Sequence, residues 1–156
     1  MPLASRLALV FGLVFAALVG GCSDEVASDP GKLTLVTASG RHVYGVELAL
    51  TPEMQARGLM YRREMAADHG MLFDFREPKE AHFWMRNTFI PLDIIFIAGN
   101  GRVHRIAADT EPLSDTIVPS EGPVRAVLEL NAGTAAAIGL APGDRVEHPV
   151  FAEPAK

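Results

Sequence analysis

The chain has 156 residues, a formal net charge of −5 at pH 7 and 49% hydrophobic residues. This length fits one domain with a sizeable apolar core. The acidic balance disfavours nucleic acid and anionic lipid headgroups as partners, because both are bound through a basic face. The single cysteine excludes an intrachain disulfide, so the core must stabilise the domain without one.

The first 21 residues have the features of a secretory signal. Arg6 precedes an apolar run, Leu7–Gly21, which is short for a membrane span of about 20 residues. The run ends in Leu18-Val19-Gly20-Gly21-Cys22, which resembles the lipobox of bacterial lipoproteins. That resemblance implies cleavage before Cys22 and lipidation of its sulfur. The alternative is an ordinary secretory signal followed by an unmodified thiol.

A lipid on Cys22 would tether a soluble domain to a membrane of the cell envelope, on the periplasmic side. Ser23 follows the cysteine and, by resemblance to lipoprotein sorting, favours the outer membrane over retention in the inner membrane. The predicted organisation is a lipoprotein signal peptide over residues 1–21, a lipidated tether over 22–32, one globular domain over 33–151 and a tail over 152–156.

The domain is predicted to begin with a β-hairpin and a short helix. Alternating apolar residues indicate strands over Lys32–Thr37 and His42–Leu50, joined by a tight turn. Thr51-Pro52-Glu53 then has the composition of a helix start, with a capping hydroxyl, a proline and an acidic first turn. Gly58 suits the position that closes this helix.

The middle of the chain reads as further short strands. Met71–Phe75 alternates in polarity, Arg76–Lys79 is predicted to form a turn, and Ala81 begins a second run that Pro91 interrupts. Leu92–Ile97 is apolar on both faces except for Asp93, which is the pattern of a central strand. Gly99-Asn100-Gly101 predicts a hairpin into the next strand, Arg102–Ala107.

The last third begins with the proline-rich segment 108–123. Its length predicts either a binding loop or lid, or a crossover stiffened by proline. Val124–Leu130 is another strand, Asn131 is expected to cap a short alanine-rich helix, and Arg145–Phe151 is the final strand. The predicted fold is therefore mainly β, a compact sandwich or partly open barrel of about eight short strands with two short helices.

Four motifs in a fixed order carry a resemblance to a known family. They are Gly58-Leu59-Met60-x-Arg62, Gly70-Met71-Leu72-Phe73, Phe83-Trp84-Met85-x-Asn87-Thr88 and Pro91-Leu92-Asp93-Ile94-Ile95-Phe96. Together they resemble the signature of the domain-of-unknown-function family 192, over roughly residues 33–151. Its members are small bacterial and archaeal proteins, many of them secreted or lipid-anchored. The resemblance implies a compact, mainly β fold and no particular activity.

Asp93 is the first candidate for chemistry, because a carboxylate in an apolar strand must find a charged or hydrogen-bonding partner. One interpretation is a general base or a ligand-orienting group at a site. The other is a buried ion pair with an arginine, for which the chain offers Arg57, Arg62 and Arg86.

A ligand groove is predicted around Trp84, Arg86, Asn87 and Asp93, with Arg62 as a further contact. An exposed Trp84 could stack on a sugar ring or an apolar group, while Arg86 and Asn87 supply hydrogen bonds. The alternative is that Trp84, the only tryptophan, is a core side chain.

The sequence also suggests a copper site, because thioether and imidazole ligands suit Cu(I). The candidate ligands are three methionines and neighbouring side chains of the Trp84 strand: Met60, Met71, Met85, His82 and Trp84. Methionine is also an ordinary core residue, and the histidines show no zinc spacing. We therefore predict no metal and no cofactor.

Three functions follow from these features. The preferred one is a lipid-anchored envelope module that binds a small molecule or an envelope polymer in the groove beside Trp84. The second is a hydrolase or lyase of an envelope polymer, with Asp93 as base and Arg62 or Arg86 as anion stabiliser. The third is a periplasmic copper-handling protein.

Overall fold

The computed structural model describes residues 29–152, so the signal segment and Cys22 lie outside the described part. Seven strands and two short helices follow in chain order: β1 (Lys32–Thr37), β2 (Gly40–Ala49), α1 (Pro52–Arg57), β3 (His69–Phe83), β4 (Leu92–Ile97), β5 (Val103–Thr110), β6 (Val118–Asn131), α2 (Thr134–Ile138) and β7 (Arg145–Glu147). A 3₁₀ turn at Pro149–Phe151 follows β7.

The strands form one curled sheet in the order β5-β4-β6-β3-β2-β1-β7. The two edges approach each other, because Arg102 at the start of β5 bridges to Arg145 of β7 and the N–H of Val103 donates to the carbonyl of Asp144. The predicted mainly β class is confirmed, and the sheet is a half-barrel. This corresponds to the partly open barrel rather than to the sandwich.

The first elements form for local reasons that the sequence shows. The β1–β2 hairpin pairs antiparallel from Lys32↔Gly45 to Thr37↔Gly40. Thr51 caps α1, its hydroxyl oxygen accepting from the N–H of Met54 at 3.3 Å, and Gly58 ends the helix with a φ of 47°.

The predicted turn at Arg76–Lys79 is corrected by the structure, because β3 runs unbroken from His69 to Phe83. The register with β6 shifts between Asp74 and Lys79, so this stretch is a bulge within one strand. Arg125 of β6 holds the bulge. Its guanidinium donates to Asp74 Oδ1 and to the carbonyl of Arg76, both at 2.9 Å. The sheet therefore has seven strands instead of about eight.

β4 is the central element that the apolar run predicts, and all six of its residues are buried. It pairs antiparallel with β5 on one side and β6 on the other. Alternate side chains of β4 enter two separate apolar clusters. Ile95 and Ile97 belong to the cluster with β1 and α2, while Ile94 and Phe96 belong to the cluster with β3 and Leu59, which follows α1.

Two predictions for the C-terminal part are corrected. Asn131 does not cap α2, since its amide donates to the carbonyls of Met65 and Ala66 instead. The final strand ends at Glu147, where a 3₁₀ turn replaces the predicted continuation to Phe151. Among residues 29–152, no helix is long and apolar enough to span a membrane.

Candidate functional site

An open cleft of about 310 Å³ is formed by the C-terminal end of α1, the residues after it, β3 and one residue of β6. The position of α1 depends on Gln55. Its amide donates to the carbonyls of Ala49 at 3.1 Å and Asp74 at 2.9 Å, which ties the helix to the end of β2 and to the interior of β3. Gly58 permits the end of α1 to approach β3 closely, because a Cβ at this position would lie only 3.2 Å from Phe73 Cζ.

Aromatic rings line the cleft. The rings of Phe73 and Phe83 meet edge to face with centroids 5.1 Å apart, although ten positions separate them along β3. The bulge in β3 lies between the two rings, and a bulge bends the strand that contains it. Trp84 follows the end of the strand, lines the cleft and is 41% exposed. Trp84 is thus a wall of the cleft, as the ligand-groove hypothesis requires, and not a core side chain.

Glu129 lies in this aromatic cleft and is the residue that the sequence analysis missed. It belongs to β6, between Met71 of β3 and Ile94 of β4, and only 5% of its surface is exposed. Within residues 29–152 its buried Oε2 has no hydrogen-bond partner. Burial raises the pKa of the Glu129 carboxyl to about 8, so the group is mostly neutral at pH 7.

A neutral carboxyl both donates and accepts hydrogen bonds. Leaving such a group without a partner costs about 1–3 kcal/mol, so most buried polar groups in proteins are paired. Glu129 is therefore the group in the cleft with an unmet demand for a partner. The sequence did hold a signal for it, since Glu129 interrupts an apolar strand as Asp93 does.

Asp93 lies on the opposite face of the sheet and has no exposed surface. Its Oδ1 accepts from the N–H groups of Asp109 at 2.9 Å and Gly133 at 3.3 Å, and its Oδ2 accepts from Ala135 N–H at 2.8 Å. This geometry corrects the expectation of an ion pair with arginine. Asp93 instead supplies, from another strand, the side-chain cap that α2 lacks locally.

The residues grouped in the predicted groove do not share one cleft. Arg86 stacks on Trp84, 4.8 Å from the ring centroid, and pairs with Asp115 at 2.6 Å. Asn87 has a φ of 58°, and its carbonyl accepts from the N–H of Tyr61.

Arg62 is engaged elsewhere, in a bidentate pair with Glu47 at 2.5 and 2.7 Å. Of the five predicted ligand contacts, only Trp84 lines the cleft.

The proline-rich segment is shorter as a loop than predicted, because β5 extends to Thr110 and β6 begins at Val118. The connection crosses the end of β4, which fits the predicted crossover. It also packs beside Trp84, since the carbonyl of Ser114 accepts from Met85 N–H at 3.0 Å.

The alternative functions lose their central residues. An enzyme with Asp93 as base is not supported, since that carboxylate is sealed and fully hydrogen-bonded. The candidate copper ligands are divided, because Met60, His82 and Trp84 line the cleft while the other two methionines do not. Met71 and Met85 belong to the core, and Met85 Sδ accepts from the Thr110 hydroxyl at 3.1 Å. Within the described range, no three His, Cys, Asp or Glu side chains form a group that could hold a metal ion.

A second cleft, of about 620 Å³, lies beside β1 and β7. Its most prominent charges are paired with each other, Arg41 with Glu147 at 2.6 Å and Arg145 with the same carboxylate at 3.7 Å. The buried Oε2 of Glu129, which has no partner within residues 29–152, therefore favours the smaller, aromatic cleft as the candidate site.

Known proteins that resemble this chain share its family and fold, but their descriptions give no established activity. Residues 34–148 match the family DUF192, described as "Uncharacterized ACR". The chain is similar to a protein of unknown function from Novosphingobium aromaticivorans, with 51% identity, a TM-score of 0.73 and coverage of 74% of this chain and 83% of that one. It is also similar to a "putative transcription regulator" from Sinorhizobium meliloti, with 49% identity, a TM-score of 0.75 and coverage of 81% and 98%. No curated protein matches.

Proposed function

The chain belongs to the DUF192 family, whose description assigns no activity, and from its site we propose a binding module. Its ligand is a small, largely apolar molecule that hydrogen-bonds to Glu129. The observation that carries the proposal is the unpartnered Oε2 of Glu129, buried in an aromatic cleft. A ligand that hydrogen-bonds to this carboxyl would remove the cost of leaving it unpaired.

The shape and lining of the cleft support this class of ligand. Its volume of about 310 Å³ is at the small end of the range for ligand pockets, which suits a molecule of one ring. The rings of Phe73, Phe83 and Trp84 offer apolar surface on which a flat ligand can stack or pack edge to face. A few polar groups among apolar walls are the usual means by which a pocket fixes the orientation of its ligand.

The test uses small neutral probes and the only tryptophan of the chain. The full chain is titrated with phenol, benzyl alcohol and benzamide while NMR follows the single indole N–H resonance, that of Trp84. We expect saturable shifts in the millimolar range, as suits molecules of this size. A wild-type chain in which none of the three probes shifts this resonance saturably would contradict the proposal.

Variants of Glu129 then locate the hydrogen bond. Glu129→Gln keeps a donor and an acceptor and should bind phenol nearly as well, whereas Glu129→Leu should weaken binding about tenfold. Glu77→Leu is the matched control, because Glu77 is exposed and does not line the cleft. Equal weakening in the Glu77 and Glu129 variants would argue against a specific contact.

We also propose that the module is a lipoprotein of the cell envelope, anchored through Cys22 on the periplasmic side, with Ser23 favouring the outer membrane. The support is the apolar run that ends in the lipobox-like Leu18-Val19-Gly20-Gly21-Cys22. Cys22→Ser should release the chain from membranes while Ser23→Ala leaves it attached, as read by fractionation and by labelling with a fatty-acid analogue. Retention of the Cys22→Ser chain in the membrane fraction would overturn the anchor.

The charge of this chain argues against the role in transcription that the name of the Sinorhizobium relative suggests. A transcription regulator that binds duplex DNA needs a concentrated basic face. Here the net charge is −5, and several surface arginines are paired with carboxylates, including Arg41, Arg62 and Arg86. A small-molecule or envelope-polymer ligand agrees better with this surface than nucleic acid does.

A further inference from the structure

The charges that line the aromatic cleft have the opposite sign to the chain as a whole. Arg57 and Lys79 are its two permanent cations, and Glu129 is its only acid. Because Glu129 is mostly neutral at pH 7, the lining carries a net positive charge on a chain of net charge −5. Such a local excess attracts anions in particular to the cleft.

Neither cation is neutralised by a neighbouring side chain. Six arginines in the described range form ion pairs with carboxylates, but neither Arg57 nor Lys79 is within 4.0 Å of one there. The ammonium of Lys79 lies 4.3 Å from the centroid of the Phe75 ring, and that contact holds it against the aromatic wall. Both cations are thus free to receive an anionic group.

The charged and titratable groups of the cleft also differ in how deeply they are buried. Arg57 and Lys79 are exposed, whereas Glu129 is buried, and the rings of Phe73 and Phe83 belong to the apolar lining. A molecule that satisfies all three groups needs an anionic end towards solvent, an apolar body, and a hydrogen-bonding oxygen at its buried end.

We infer that the ligand is a small aromatic or similarly flat organic acid whose carboxylate meets Arg57 and Lys79 while a hydroxyl or carbonyl oxygen at its other end reaches Glu129. This inference rests on the proposed binding function and names the class of ligand. Glu129 supplies the deep contact in both cases, and the two exposed cations add the preference for an acid. Arg57 also lies in the last turn of α1, where a cation favours the helix itself, so binding must be measured apart from stability.

The experiment compares acids with matched neutral molecules. The full chain is titrated with para-hydroxybenzoate, para-hydroxyphenylacetate and para-hydroxyphenylpropionate, which differ in the spacing between hydroxyl and carboxylate, and with phenol, which has no carboxylate. Benzoate serves as the acid without a hydroxyl. We expect the best hydroxy acid to bind about tenfold more tightly than phenol at low salt, with the difference shrinking as salt is added.

Variants separate the two contacts. The double variant Arg57→Gln and Lys79→Gln should remove the advantage of the hydroxy acid and leave the affinity for phenol unchanged. The double variant Lys32→Gln and Arg102→Gln, which changes two exposed cations outside the cleft, is the control and should keep that advantage. Benzoate should respond to the Arg57 and Lys79 variant but not to Glu129→Leu.

The outcomes also separate this inference from the binding function. If phenol shifts the Trp84 resonance but no hydroxy acid binds more tightly, or if the advantage persists in the Arg57 and Lys79 variant, the ligand is neutral and the inference fails alone. If neither phenol nor any acid shifts the resonance, the binding function itself fails.

Discussion

Asp93 and Glu129 lie one register position apart on the neighbouring strands β4 and β6, yet their side chains project from opposite faces of the sheet. Three backbone N–H groups satisfy Asp93, whereas no group in the described range satisfies the buried Oε2 of Glu129. Asp93 therefore stabilises the fold, and Glu129 is the acid that a ligand can use.

Because Asp93 stabilises the fold, replacing it should lower the free energy of unfolding and leave the cleft intact. Asp93→Asn replaces one accepting oxygen by an amide N–H₂ that faces a backbone N–H, so at least one buried donor loses its partner. We expect destabilisation of about 2–3 kcal/mol, measured by urea unfolding. Asp109→Asn is the control, because the exposed Asp109 contacts Asp93 through its backbone N–H only. A stable Asp93→Asn chain that no longer binds phenol would reverse these assignments.

The pKa of Glu129 predicts how stability varies with pH. The pKa is about 8 in the folded chain against an ordinary value of 4.5, so between these values the folded state holds a proton that the unfolded state has lost. The contribution of Glu129 to stability is therefore greatest below the unfolded pKa and falls as pH rises towards about 8, by up to about 1.4 kcal/mol per pH unit.

Glu129→Gln lacks this titration, so its advantage over the wild-type chain should grow from about pH 5 to about pH 8. Urea unfolding of both chains across this range measures the effect, and Glu77→Gln corrects for a change of net charge. Parallel stability curves for the Glu129→Gln and wild-type chains would mean that Glu129 is already ionised at pH 7 in the folded state.

Much of the fold could be predicted from sequence where the causes are local. The bounds of β4 follow from six residues that are apolar on both faces apart from Asp93, and those of α1 follow from Thr51 and Gly58. The continuity of β3 could not be predicted, because polar residues at Arg76–Lys79 read as a turn. The side chain that keeps them in the sheet, Arg125, lies 49 positions beyond Arg76.

The candidate site was also predictable only in part, because some of its contacts come from distant parts of the chain. The sequence allows Trp84 to be either a ligand wall or a core side chain, and its exposed position in the cleft supports the ligand wall. An acid in an apolar strand is visible at both Asp93 and Glu129, but the sequence does not show which of them is satisfied. The three donors to Asp93 come from distant positions, 16 to 42 residues away, so only the folded chain distinguishes the two acids.

The ion pair between Asp74 and Arg125 predicts a strong energetic coupling. Both side chains are only 9% exposed, and Asp74 Oδ1 also accepts from the N–H of Arg76 at 2.8 Å. Arg125→Met should destabilise by about 3–5 kcal/mol, since it leaves a buried carboxylate without its cation. The double variant with Asp74→Ala should cost less than the sum of the single variants. Additive losses would show that the two groups do not stabilise each other.

The absence of a side chain at Gly70 sets the distance between β3 and β6. A Cβ at this position would lie 2.6 Å from the carbonyl oxygen of Glu129 and 2.6 Å from Leu130 Cδ2. The carbonyl belongs to the backbone of a central strand and cannot move away, so Gly70→Ala must separate the strands locally.

We expect Gly70→Ala to destabilise by about 1–3 kcal/mol in urea unfolding. Gly99→Ala is the matched control, because the nearest atom to its Cβ would be Pro78 Cγ at an ordinary 3.7 Å and its backbone has no left-handed φ. A local separation of β3 from β6 would alter the cleft around Glu129, so the affinity for phenol should fall in Gly70→Ala and not in Gly99→Ala. Unchanged stability and phenol binding in Gly70→Ala would show that β6 can shift freely, and the buried carboxyl would then not be held in a fixed place.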